Sequence, residues 1–142
     1  MTNWAAKYIG RPWVNGKFDC WGLVQEVYKD ELGIVLSPII TDAKSIKNVY
    51  SEFSRNSNYS QLQEVSKLQD MSIVVLSQGK YPSHVGLWTD VDGGGIIHNL
   101  QDVGVIFQKI TELKSADKLI YSIIVWFFIC DNIDKKFLRQ MF

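Results

Sequence analysis

The sequence predicts an α+β fold, with helices first and an antiparallel β-sheet after them, as a single domain over residues 1–142. Three observations carry this. Cys20, Leu23, Val24, Val27 and Tyr28 follow the i, i+3, i+4, i+7, i+8 stripe of a helix. After Asp70 the texture changes to short runs rich in Val and Ile. Two of those runs, at 84–91 and 96–100, flank an Asp92-Gly93-Gly94-Gly95 turn, a hairpin signal. A chain of 142 residues with 46% apolar content is long enough to bury one core.

Taken in order, residues 3–9 predict a short helix ended by Gly10 and Pro12. Residues 10–18, with two glycines, a proline and an asparagine, predict a loop. A helix follows over about 20–32, with Asp19 as N-cap and Gly33 as C-cap. A second helix is expected over 42–53, where Ala43, Ile46, Val49, Tyr50 and Phe53 share a face, and then a polar loop over 54–61. Strands are expected at 72–77, at the two hairpin arms, and at 103–110. The apolar run 119–130 fits a central strand buried on both sides, and 131–142 a terminal helix or tail.

Charge excludes some functions. Fifteen Lys and Arg balance fifteen Asp and Glu, so the basic excess of a nucleic-acid binder is missing. The same balance argues against charge-driven binding to an anionic membrane. The most apolar stretch, 120–130, is too short to span a bilayer, so no membrane insertion is expected. The first residues lack a basic patch followed by an apolar segment, so synthesis in a cytoplasm without a signal peptide is expected. Two cysteines, Cys20 and Cys130, do not make a disulfide scaffold.

The candidate chemistry lies in Cys20, His84 and His98. Cys20 opens the predicted helix, where unpaired N–H groups and the helix dipole favour thiolate, the nucleophilic form. It also lies on the apolar stripe, so a small buried core residue is the alternative. His84 and His98 are the only histidines in the chain. A hairpin loop of three residues centred on Val91 sets them directly opposite on one face, whereas a two-residue loop sets them on opposite faces. Val85 and Leu87 alternate with His84, so the histidine face is not the main apolar one. Zinc binding is the weaker option, because two histidines and a distant cysteine lack the short spacing of common zinc motifs.

These residues carry a resemblance. The run from Ala6 to Gln25, with Gly10-Arg11-Pro12-Trp13 and then Asp19-Cys20-Trp21-Gly22-Leu23-Val24, resembles the nucleophile segment of the NlpC/P60 peptidases. Ser83-His84-Val85-Gly86-Leu87-Trp88 is similar to that family's histidine strand, and Ile96-Ile97-His98 followed by Gly104-Val105 to its third-residue strand. The likeness runs in order from about residue 4 to 107.

The resemblance implies a papain-like fold and a cysteine peptidase acting on peptidoglycan stem peptides. Cys20 would be the nucleophile, His84 the acid–base, His98 the residue that orients it, and the Cys20 N–H the oxyanion donor. Asp19 would cap the helix and line the subsite for the substrate amine. The bond most often cut in the family joins the γ-carboxyl of D-glutamate to diaminopimelate or lysine, with no metal or organic cofactor. Two positions depart from the family pattern. Trp21 replaces the serine that commonly follows the nucleophile, and Trp13 replaces a loop tyrosine, so both are candidates for lining the cleft. With the compact length, these departures look more like the phage-tail branch, which implies tail proteins as partners and delivery to the wall with a virion. Other readings on the same residues are an amidase cutting between sugar lactate and L-alanine, an acyltransferase, a secreted antibacterial effector with a neutralising immunity partner, and a non-catalytic tail component.

Overall fold

The computed structural model of the protein describes residues 3–36, 62–64, 67–78, 81–113 and 122–129. The expected helix at 42–53, the loop at 54–61 and the terminal segment at 131–142 lie outside the described residues, as does Cys130.

The chain begins with a 3₁₀ helix, Trp4–Tyr8, where the Asn3 side chain accepts from the N–H of Ala5. A loop follows, closed on itself by an isolated bridge between Val14 and Phe18. It also docks on the sheet, because Gly10 N–H donates to Val105 O and Val105 N–H donates to Arg11 O. Helix α1, Cys20–Val27, starts at Asp19, whose carboxylate accepts from Gly22 N–H at 2.8 Å. Such a cap stabilises a helix by about 1 kcal/mol. α1 runs on into a π-helical turn, Tyr28–Leu32, which Gly33 ends in the left-handed conformation.

Six strands form one antiparallel sheet: β1 (Leu62–Glu64), β2 (Ile73–Gln78), β3 (Tyr81–Thr89), β4 (Gly95–Leu100), β5 (Gly104–Lys109) and β6 (Ser122–Ile129). Their order is β1-β6-β2-β3-β4-β5. A short helix α2, Ile110–Leu113, follows β5. The architecture is the expected α+β one. The β6 strand is expected and lies between β1 and β2, whereas β1 was not foreseen, being three residues in a polar stretch.

Strand alternation divides the core. Val75, Val85, Leu87, Ile97 and Val105 join Leu23, Val24 and Val27 of α1 in the larger cluster. Val74, Leu76, Trp88 and Ile96 form the second cluster on the other face. Tyr28 belongs to the larger cluster and is fully buried, and its hydroxyl donates to Met71 O at 2.8 Å, tying the end of α1 to the start of β2. Trp4 reaches the same junction from the N-terminus, where its indole N–H donates to Asp70. Tyr28→Phe should therefore lower stability by about 1–2 kcal/mol, since Met71 O is left buried without its donor; chemical denaturation at neutral pH measures it.

Candidate active site

The β3–β4 hairpin sets the geometry. Its ladder pairs Thr89 with Gly95, Trp88 with Ile96 and Leu87 with Ile97, and no further pairs follow. This register centres the hairpin on Asp92, not Val91, because a 3₁₀ turn at Val91–Gly93 with Asp92 at φ 51° takes up the chain reversal. His98 therefore stands across from Gly86, and His84 is its diagonal neighbour on the same face. The directly opposed arrangement expected from the sequence is corrected to a diagonal one, while the shared face holds.

The diagonal works because position 86 is glycine. A Cβ there would lie 3.0 Å from His98 Cβ, 2.7 Å from Ile96 Cγ2 and 2.9 Å from Ile97 O. With no side chain between them, the two imidazoles reach each other. His84 Nε2 lies 2.9 Å from His98 Nδ1, with ring centroids 5.0 Å apart. On the far side, His98 Nε2 lies 2.6 Å from Oε1 of Gln108 on β5. Three adjacent strands thus present His84, His98 and Gln108 in a line on one face.

Cys20 comes to the histidine strand from α1. It is the first residue of α1, a free thiol that is 3% exposed and belongs to the larger core cluster. Its sulfur meets the backbone N–H of Val85, the residue after His84, together with those of Trp21 and Cys20 itself. In the hairpin register Val85 would face Asn99, but the ladder has already stopped. The helix N-terminus occupies that opening. Asn99 turns its amide to it, donating to Phe18 O at 2.7 Å and more weakly to Asp19 O. The Oδ1 of Asn99 is buried with no partner, a cost of about 1–3 kcal/mol.

The remaining candidates divide. Asp19 is buried and holds the N-terminus of α1 through Gly22 N–H and the loop through Gly16 N–H. Trp13 is half-buried in the loop before Cys20. Trp21, the other candidate for lining a cleft, is 4% exposed and belongs to the main core cluster with Cys20. Gln108 was not singled out in the sequence; a polar residue on an alternating strand carries no signal until the strand register is known. Among the described residues no group of three or more His, Cys, Asp or Glu could hold a metal ion, and no helix is long and apolar enough to cross a membrane.

Burial sets the charge states. It pushes the Cys20 thiol up to about 12, with the Asp19 charge adding, against the three backbone N–H groups that pull it down. The thiolate preference expected at a helix N-terminus is therefore outweighed by desolvation. Burial, and then the neighbouring His98, hold His84 well below the usual histidine range. Burial lowers His98 to about 4, with Gln108 opposing. These shifts favour a neutral thiol and neutral imidazoles.

The model of the NlpC/P60 family matches residues 7–123, a span that includes Cys20, His84, His98 and Gln108. No curated protein matches the chain.

Two outcomes follow from this geometry. A buried imidazole with a lowered pKa resists protonation in the folded state, so its contribution is present above about pH 6.5 and is lost as the pH falls toward about 4. Across that window wild type should lose stability faster than His98→Gln, by on the order of 1 kcal/mol per pH unit; urea titrations at a series of pH values give both slopes. Gly86→Ala should push His98 off the diagonal and destabilise the fold by about 1–3 kcal/mol, as overpacking does, and loss of the His84–His98 contact should be visible in the histidine ring NMR signals.

Proposed function

The chain belongs to the NlpC/P60 family, and from that premise we propose that it is a cysteine endopeptidase of bacterial cell wall, cutting peptidoglycan stem peptides with Cys20 as nucleophile. The observation that carries this is the placing of a free, helix-opening cysteine at the backbone of Val85, one residue from an imidazole that is itself hydrogen-bonded to a second one. A core cysteine has no need of a buried histidine pair beside it, and burying two imidazoles costs stability that packing alone does not require.

In this reading substrate enters at the end of the β3–β4 ladder. Cys20 passes its proton to His84 as its sulfur attacks the stem carbonyl, and the C–S bond forms as the carbonyl π-bond opens. The N–H at the start of α1 stabilises the oxyanion. His84, now imidazolium, gives the proton to the departing amine as the C–N bond breaks. Water, deprotonated by His84, then hydrolyses the acyl-enzyme and restores the thiol. His98 holds the His84 ring in place and steadies its charged form. Neutral partners at rest make His84 a general base, so the thiol loses its proton during the attack and not before it. The bond favoured is the one between the D-glutamate γ-carboxyl and the diamino acid, with Asp19 beside the site as the anionic group for the amine end.

Mass spectrometry of purified cell wall after digestion tests the proposal. New stem fragments with wild type and none with Cys20→Ala are expected, and their masses name the bond; a free lactyl sugar terminus would instead identify an amidase. Cys20→Ala and His84→Ala should each lower turnover by more than about a thousandfold, as loss of a nucleophile or its base does, with unchanged circular dichroism. His98→Ala should cost less, on the order of 10- to 100-fold. Full activity in Cys20→Ala would refute the assignment.

A further inference from the structure

We propose that Gln108 is a positioning residue which fixes the tautomers of both histidines and so decides which nitrogen of His84 serves as the base. The geometry runs along one face. Gln108 Oε1 is an acceptor only, and it lies 2.6 Å from His98 Nε2, so that nitrogen carries the proton and donates. His98 is neutral near pH 7, because burial lowers its pKa to about 4, and a neutral imidazole has one N–H. Its Nδ1 is therefore the acceptor in the 2.9 Å contact with His84 Nε2. His84 Nε2 must then be the N–H donor, which puts the His84 lone pair on Nδ1.

The consequence is directional. One amide oxygen on β5 sets the proton on His98, and His98 sets the proton on His84. Reversing the amide of Gln108 would present N–H groups to His98 Nε2, move the His98 proton to Nδ1 and the His84 proton to Nδ1 as well. The His84 nitrogen turned away from His98 would then be a donor and could not accept a proton from a thiol. The neighbours of Gln108 across the ladder and beside it are Ile96 and Ile106, both apolar. The relay is neutral before a proton reaches His84, so Gln108 sets the resting tautomers through hydrogen-bond direction, not through an ionic field.

The catalytic consequence rests on the peptidase reading, but the tautomers are measurable without it. Long-range ¹H–¹⁵N correlation spectra of the histidine rings in wild type at pH 7 should show both His84 and His98 protonated at Nε2. Gln108→Leu, close in size but without an acceptor, should shift His98 toward a mixture with the Nδ1–H form and carry His84 with it. Gln108→Glu, which keeps an acceptor in place, should restore the Nε2–H pair and raise the pH at which His98 takes up a second proton. With cell wall as substrate, Gln108→Leu should lower kcat by on the order of tenfold with little change in KM, and Gln108→Glu should recover most of it. An Nδ1–H tautomer of His98 in wild type, which needs no variant to fold, would overturn the proposal, and so would wild-type tautomers that persist in Gln108→Leu. Should no wall fragments appear with wild type, the peptidase reading fails while the ring spectra still decide the role of Gln108.

Discussion

The ladder between β3 and β4 ends at Leu87 and Ile97, and the whole site depends on that ending. Had pairing continued, Val85 and Asn99 would have faced each other across the strands, and no element could have entered between them. Because it stops, backbone and side-chain groups at those two positions become available to the first residues of α1. Val85 offers its N–H to the sulfur of Cys20, and Asn99 offers its amide to the carbonyls of Phe18 and Asp19. The helix N-terminus thus replaces a missing strand partner. This satisfies groups that would otherwise be buried unpaired, and it brings the cysteine to the backbone of the histidine strand. The unpartnered Oδ1 of Asn99 is the residue of that compromise.

Burial at the opening favours the uncharged forms of Cys20, His84 and His98. A carboxylate in place of Gln108 would stabilise an imidazolium more strongly, but a buried anion costs several kcal/mol unless paired. A His–His–Gln line avoids that cost, and in the proposed reaction charge would enter the site only at the attack. The same burial raises the thiol and lowers both imidazoles, so a thiolate–imidazolium pair is disfavoured while the site is dry.

Much of this was legible in the sequence, and the unread part has physical causes. The periodicity from Cys20 to Tyr28, with Asp19 before it and Gly33 after, defined a helical segment that the structure holds with only its last turn widened to a π-helix. Local capping chemistry decides such boundaries, and capping residues are adjacent in the chain. The hairpin was legible too, but its centre was not, because one left-handed residue at Asp92 shifts the register by a full pair. Side-chain parity survived that shift, which is why His84 and His98 share a face although they are diagonal. Trp21 follows Cys20 in sequence, and its burial in the core cluster could be read only from the packing of α1. Gln108 could be recognised only once β5 was paired to β4, since its meaning lies entirely in a cross-strand contact.

Two glycines of the sequence signature are explained by space. Gly22 on α1 and Gly86 on β3 are each packed so closely that a Cβ has no room. At Gly22 it would lie 2.7 Å from Lys17 O, so the loop that precedes the nucleophile lies flat on its own helix. At Gly86 it would strike Ile96 and the His98 side chain. One glycine lets the loop and its cap at Asp19 close over the start of α1; the other lets two imidazoles touch across a strand. Neither has any chemistry of its own. A substitution at either would leave Cys20, His84 and His98 all present in the sequence while moving one of them away from the others. The pattern Asp-Cys-x-Gly followed by His-Val-Gly therefore joins each candidate residue to the glycine that lets the neighbouring chain pack against its element.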